Sequence, residues 1–409
     1  MSVLRFSNPF TPRFGSLPAI FVGRQDIISS FEYALDHPGD KARTIMIEGN
    51  RGVGKTSLIK YLGEKAKNNG WTVISLNAGN QQVLKSILSR LGGTQQSNTN
   101  ISFEPSIGIP QVFEGKLGKI EHYKAKERPL VFHDALENCL CKHNKPVLIV
   151  LDEIQSSNVR EIAELCGAYQ LLSDKYELCL LAAGLPGGYD ELLETNKKKS
   201  EGVMSNDIHG CSFLQRGTNY VLEQLMPSEM EEMFKKTLAL IPNLEIEDGV
   251  IQLMCQISRG EPFIAQCLGS ESVKEMSYRV GNVVKAELLV SDVSAAMNKS
   301  LESYYHDILE NMTKHFYPFQ LKYLKTASEI GNETGRISTS EVAKRLGKTA
   351  KQCSQTRQAV INSGLASPDG RGYLNFDRPY IYEFTHRNPE EYTKKPCEAW
   401  EYNKSVPLP

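Results

Sequence analysis

The chain has 409 residues, more than one hydrophobic core usually serves, so two or three domains are expected. Its 40% hydrophobic and 23% charged residues are ordinary for a globular protein, and a formal net charge of −1 excludes a global basic field for nucleic acid or anionic membrane. No apolar run reaches the roughly 18 residues of a membrane span, Met1–Phe10 lacks the apolar stretch of a secretory leader, and the nine cysteines include no C-x-x-C pair, Cys139 and Cys141 being the closest. These features point to a reducing, cytoplasmic setting without disulfides or structural zinc.

Pro9, Pro12, Gly15 and Pro18 make residues 1–19 an irregular lead-in. Phe21-Val22-Gly23-Arg24 then precedes a predicted helix near Asp26–Leu35, with Asp26 as its N-cap. Strand and helix signals alternate from there. Strands are predicted at Arg43–Glu48, Trp71–Asn77, Pro146–Asp152, Tyr176–Ala183 and Asn219–Leu222. Helices are predicted near Thr56–Asn68, Asn80–Leu91, Leu130–Lys142, Asn158–Leu172 and Gly188–Glu194. Such alternation implies a parallel sheet with helices on both faces, an α/β domain over residues 20–224. Residues 92–128 break the rhythm. They are rich in Gly, Ser, Asn and Pro, could hold a hairpin of Thr99–Phe103 and Ile107–Phe113, and read as an insertion of unassigned role. From Met226 the pattern turns all-helical, with Pro227–Leu240, Ile246–Ser258 and Pro262–Val280 forming a lid over residues 225–300. Residues 283–316 read as a connecting helical stretch. A C-terminal domain is placed at 301–387, its compact part beginning at 317, and a polar, extended tail at 388–409.

Two motifs carry chemistry. Gly49-Asn50-Arg51-Gly52-Val53-Gly54-Lys55-Thr56, followed by Ser57, is a complete G-x-x-x-x-G-K-[ST] loop between a predicted strand and a predicted helix. The glycines let the backbone curl so that successive N–H groups face phosphate oxygens. Lys55 supplies a point charge to the β- and γ-phosphates and Thr56 a hydroxyl to Mg²⁺, while the helix N-terminus lies under the phosphates. The second motif, Val147-Leu-Ile-Val-Leu-Asp152-Glu153, is an apolar run ending in two carboxylates, as in a strand buried on both faces. Ligands bind outside the carboxyl ends of such strands. Asp152 is therefore the candidate for orienting Mg²⁺ and Glu153 for polarising an attacking water.

With these motifs the chain resembles the AAA+ and signal-transduction ATPase (STAND-like) branch of the P-loop NTPases, near ATP-binding proteins related to archaeal replication initiators. The resemblance covers nearly the whole chain. It rests on Phe21-Val22-Gly23-Arg24, the phosphate loop, Asp152-Glu153-Ile154-Gln155 and Gly260-Glu261-Pro262-Phe263. It implies ATP and Mg²⁺ as ligands, with Val22, Gly23, Arg24 and Pro262 against adenine and ribose. It also implies an arginine finger at Arg216, acting on the nucleotide of a neighbouring subunit, with a surface arginine as the alternative. Arg259, beside the lid glycine, is a candidate cis sensor. The chain departs from the family at Leu181-Ala182-Ala183-Gly184-Leu185, where a polar sensor residue is usual, and this puts fast hydrolysis in doubt.

The C-terminal segment has the punctuation of a winged helix: a short helix Ser340–Leu346, a turn Gly347–Thr349, a second helix Ala350–Ser363, a Gly-rich tip and a strand Tyr373–Phe376. The second helix of such a unit enters the major groove. Lys348, Lys351, Gln352, Gln355, Arg357 and, at the wing tip, Arg371 are the candidate DNA contacts. Between Ser338 and Arg378 seven basic residues (Lys344, Arg345, Lys348, Lys351, Arg357, Arg371, Arg378) face three acidic ones (Glu341, Asp369, Asp377). A winged helix used for protein contacts remains the alternative. The expected function is an ATP-driven switch reporting nucleotide state to double-stranded DNA or a partner. The rivals are a slow signalling or defence ATPase without a DNA role and, third, an oligomeric remodeller of proteins.

Overall fold

The structure is a computed structural model and describes residues 7–13, 15–79, 82–92, 132–186, 217–281 and 285–387. The chain forms two compact units. One comprises Asp26–Glu48 and Ile59–Val221; the other comprises Met1–Gln25, Gly49–Leu58 and Leu222–Pro409.

The first unit is built on a five-stranded sheet of β1 (Thr44–Gly49), β2 (Thr72–Asn77), β3 (Val147–Asp152), β4 (Leu178–Gly184) and β5 (Thr218–Leu222), in the order β2-β3-β4-β1-β5. The pairings β2–β3, β3–β4 and β4–β1 are parallel. In β3 every residue before Asp152 is buried and β4 is buried throughout, as their unbroken apolar runs require of strands covered on both faces. The helices Val83–Arg90, Phe132–His143 and Val159–Leu172 contribute Ile87, Leu136 and Leu165 to one core with Ile74, Ile149 and Leu180 of the strands. Leu151 is in register with Ala182 of β4, and Ala182 with Met46 of β1, so β3 ends level with Ile47, two residues before β1 ends at Gly49.

The second unit carries the helices Pro227–Leu238, Val250–Ser258, Pro262–Val280 and Val290–Tyr304, followed by a π-helical turn at Tyr305–Glu310. The lid is helical apart from a short parallel ladder between β6 (Leu244–Ile246) and β7 (Ala286–Leu288). Ile246, expected in a helix, thus ends a strand; the helix waits for Val250 because Gly249 turns the chain at φ 90°. Then come the helix Pro318–Thr334, β8 (Ile337–Ser338), the helices Thr339–Arg345 and Ser354–Asn362, β9 (Ala366–Pro368), β10 (Tyr373–Phe376) and the helix Ile381–His386. β10 lies between β8 and β9, antiparallel to both. One continuous core runs from Phe10 through Met254 and Leu268 to Leu324 and Ile381.

Two further local expectations need correction. Asp26 is the second residue of its helix, Gln25–Asp36, and not the cap. Ala350–Cys353 form a turn, so the second C-terminal helix starts at Ser354. The described part of the lead-in is irregular, as expected, and packed: Phe10 is buried in the lid core, and Asn8 Nδ2 donates to the Ser270 carbonyl at 3.0 Å. The 93–128 part of the insertion with its hairpin, the helix Gly188–Glu194, Arg216 and the tail 388–409 lie outside the described residues.

Candidate nucleotide site

β1 delivers the chain into the phosphate loop, and the helix Lys55–Asn68 begins at its invariant-type lysine position. Gly52 and Gly54 adopt φ of 86° and 96°, a left-handed backbone that side chains with a Cβ resist. Gly49 is tight for another reason: a Cβ there would lie 2.9 Å from the Leu222 carbonyl oxygen. Lys55 is buried, and its Nζ donates to the carbonyls of Gly49 at 2.7 Å and Asn50 at 2.9 Å. The ammonium is therefore held over the loop by the loop itself. Val53 is buried beneath it, while Asn50, Gly54, Thr56 and Ser57 are half-buried and Arg51 is exposed. Ser57 Oγ donates to the Ser16 carbonyl at 3.1 Å, tying the first helical turn to the N-terminal segment. The helix start adds a partial positive charge where the loop's N–H groups emerge.

The segments expected at the base and ribose converge on residues 223–225. Arg24, in a left-handed conformation at φ 62°, donates through a guanidinium nitrogen to the Glu223 carbonyl. A Cβ on Gly23 would lie 2.6 Å from Glu229 Oε1 and 3.2 Å from Leu225 Cδ2. Leu225 N donates to the Gly260 carbonyl at 2.9 Å, and Pro262 opens its helix at the first position, half-exposed. Val22 packs against the lid core. The structure thus brings Val22-Gly23-Arg24 and Gly260–Pro262 to one short segment, although Arg24 and Gly260 lie 236 positions apart in the chain.

In the other unit Asp152 ends β3 and Glu153 follows in a left-handed conformation at φ 55°. Asp152 Oδ1 accepts from the Glu153 amide at 3.0 Å. Both carboxylates are half-buried. Gln155 lies between Glu153 and the end of β4: its Nε2 donates to Glu153 Oε2, and its Oε1 accepts from the Leu185 amide at 3.1 Å. A Cβ on Gly184 would meet Gln155 Oε1 at 2.9 Å, so the glycine makes room for the amide. The polar group expected on β4 itself is absent, but Gln155 brings one to the same place. Gln155 belonged to the quoted motif, yet its reach to Leu185 had no signal in sequence because it depends on strand order.

The C-terminal candidates divide. Lys348, Lys351, Gln352, Gln355 and Arg371 are exposed. Lys348, Lys351 and Gln352 precede the second helix rather than riding on it; Gln352 Oε1 accepts from the Thr349 amide at 2.9 Å and caps the turn. Arg357 is half-buried beside Tyr323, whose hydroxyl burial pushes up to about 12. Of the other basic residues counted in this segment, Arg345 is paired with Glu333 at 2.6 Å, and Arg378 is fully buried. The basic patch is smaller than the sequence count. Arg259, the candidate cis sensor, lies with its guanidinium carbon 4.1 Å from the Tyr380 ring centroid and a guanidinium nitrogen 3.8 Å from Glu383 Oε1.

Sequence reasoning missed Glu261 and Arg378. Both side chains have no exposure, and Arg378 contacts Glu261 Oε1 through one guanidinium nitrogen and the Arg51 carbonyl of the phosphate loop through another. Burial pushes the Glu261 carboxyl up from the usual carboxylate range, and the Arg378 charge pulls it back. A buried acid beside a helix-start proline and an arginine after a C-terminal strand carry no local signature of pairing.

The profile of the AAA ATPase domain family matches residues 20–181, and that of a domain family of unknown function, DUF8462, matches residues 308–385. Among solved structures, the Walker-type ATPase PAby2304 of Pyrococcus abyssi is 14% identical with a TM-score of 0.58, covering 90% of this chain and 97% of its own. The RuvB Holliday junction branch migration motor of Thermotoga maritima is 18% identical, with a TM-score of 0.43 and coverage of 89% and 95%. The Orc1 protein of Aeropyrum pernix, solved in complex with DNA, is 15% identical, with a TM-score of 0.42 and coverage of 91% and 94%. No curated protein sequence matches the chain.

Proposed function

We propose, from the match of residues 20–181 to the AAA ATPase domain family, that the protein binds and hydrolyses Mg-ATP and couples nucleotide state to its C-terminal domain. The observation that carries this is the phosphate loop: two left-handed glycines, a buried lysine held above them and a helix start, all at the carboxyl end of β1. Among the described residues no three His, Cys, Asp or Glu side chains gather around a metal position. The Thr56 hydroxyl and the Asp152 carboxylate are hard oxygen donors, the kind Mg²⁺ takes together with phosphate oxygens and water. These two would hold it, and when bound it would neutralise charge on the β- and γ-phosphates. Lys55 adds its charge there. Glu153, set by Gln155 and by its own strained backbone, accepts the proton of the attacking water.

We read the C-terminal order of helix, strand, two helices and two strands as a winged helix. Its exposed Lys348, Lys351 and Arg371 are the surviving DNA-facing charges. A second reading has an observation of its own: the end of β4 is apolar, Arg345 is paired with Glu333, and Arg378 is buried against Glu261. That favours a slow signalling or defence ATPase whose winged helix contacts protein. The primary test is calorimetric titration of the full chain with Mg-ADP and a slowly hydrolysed ATP analogue. Wild type is expected to bind at micromolar or better affinity and Lys55→Ala not measurably; equal affinities would remove the assignment.

A further inference from the structure

Segment Asp377-Arg378-Pro379-Tyr380 of the C-terminal domain is anchored at every residue with a polar side chain. The Ser367 hydroxyl donates to Asp377 Oδ1 at 2.6 Å, and Gln224 Nε2 donates to the Asp377 carbonyl at 3.4 Å. The Tyr380 hydroxyl donates to the Ile257 carbonyl of the lid at 2.7 Å. Between these anchors Arg378 projects inward and meets both Glu261 and the Arg51 carbonyl. A second contact is independent of Arg378: a Cβ on Gly364 would lie 2.5 Å from Asn50 Oδ1, so the C-terminal backbone touches the phosphate loop directly. Gly52 completes the arrangement, its Cβ position falling 3.5 Å from Glu261 Oε2 and 3.8 Å from an Arg378 guanidinium nitrogen.

A buried ion pair is weak support for a fold, because an apolar pair of similar volume often does as well or better. What an apolar pair cannot do is donate to the Arg51 carbonyl. Arginine suits this task because its planar fork serves two acceptors at once, whereas a lysine head is a single point.

We propose that Arg378 is a positioning residue for the phosphate loop, so that the domain of residues 308–385 forms part of the nucleotide site. The guanidinium fixes the Arg51 peptide, and Glu261 fixes the guanidinium. Loop curvature, and with it the aim of the loop's N–H groups at phosphate, depends on the C-terminal domain being docked. By linkage, phosphate binding favours that docking to the same degree. The inference rests on the nucleotide reading given above.

The test is Mg-ADP affinity by calorimetry together with melting temperature, on the full chain. Wild type and Lys55→Ala set the two ends of the scale. Arg378→Lys keeps a cation beside Glu261 but gives up the fork. Glu261→Met/Arg378→Met removes both charges, avoids stranding either one, and takes the donor from Arg51. Each is expected to bind Mg-ADP about tenfold more weakly, the effect of one charge-assisted hydrogen bond, with melting within about 3 °C of wild type. A purely structural role gives the reverse pattern, lower melting with unchanged affinity, and overturns the proposal. Should the double variant not fold, Arg378→Lys decides alone. Wild-type affinity in the folded variants overturns the Arg378 assignment while leaving the nucleotide reading intact. Absence of Mg-ADP binding by wild type overturns both.

Discussion

Glu153 is held in a left-handed conformation, a strained state for a residue with a side chain. Its carboxylate has a donor in Gln155, which is itself tied to the Leu185 amide. This chain of contacts yields a graded prediction. Glu153→Gln keeps nucleotide binding and lowers kcat by about 10²–10⁴, because an amide still holds water but does not accept its proton. Gln155→Ala leaves the base present but unaimed, so kcat falls by about tenfold with KM little changed. Single-turnover hydrolysis on both variants checks the order; a Gln155→Ala enzyme with wild-type kcat removes the positioning role. The carboxylates and the loop lysine were legible in sequence because their spacing is local. Gln155's partner was not, since Leu185 follows a different strand.

At the scale of elements, the lid helix Pro262–Val280 shows how a local preference is overridden. Gly269 lies in its interior, where alanine would normally gain up to about 1 kcal/mol. A Cβ there would lie 2.3 Å from Phe10 Cε1 and 2.5 Å from Cζ. Phe10 is 4% exposed, with the Phe234 ring centroid 6.2 Å away, so the ring has little room to retreat. Overpacking of this kind costs about 1–3 kcal/mol, which exceeds the propensity gain. Gly269→Ala is therefore expected to lower the melting temperature by several degrees, and Phe10→Ala/Gly269→Ala to show positive coupling, since the clash goes with the ring. A stabilised single variant would mean the N-terminal segment does not hold Phe10 there. The sheet strands were read within two residues at each end because their apolar runs are continuous. The start of the helix at Ser354 was not: Ala350 and Lys351 are good helix formers, and the Thr349–Gln352 capping interaction that turns the chain is a side-chain contact.

For the whole molecule, two readouts separate the functional readings. If the C-terminal domain binds duplex DNA, log affinity falls with log salt by about 0.9 per phosphate contact. Lys351→Ala or Arg371→Ala should each lower that slope by about one unit, whereas Arg357→Ala should leave it unchanged, because Arg357 is half-buried against Tyr323. Gel shifts across a salt series measure this, and no binding at about 50 mM salt in either nucleotide state would assign the domain to protein contacts. If Arg216 serves a neighbouring subunit, specific ATPase activity should rise with protein concentration and Arg216→Ala should lower kcat by about 10³ or more. Flat activity over a hundredfold dilution with an unaffected variant would make it a surface residue.

Sequence alone determined the features with short-range spacing: the placement of the phosphate loop between strand and helix, of the carboxylates at the close of an apolar strand, and the order of strands and helices along the chain. Each is encoded within a dozen residues, where backbone geometry leaves few alternatives. Tertiary structure decided which distant pieces meet. It brought Arg24 to Glu223, Gln155 to Leu185, and Arg378 to Glu261 and the phosphate loop. It also paired Arg345 with Glu333 and buried Arg378, which the charge count had placed on the surface. The physical reason is that burial and pairing are properties of packing: an arginine reads the same in sequence whether its guanidinium faces solvent or a buried carboxylate more than a hundred residues away.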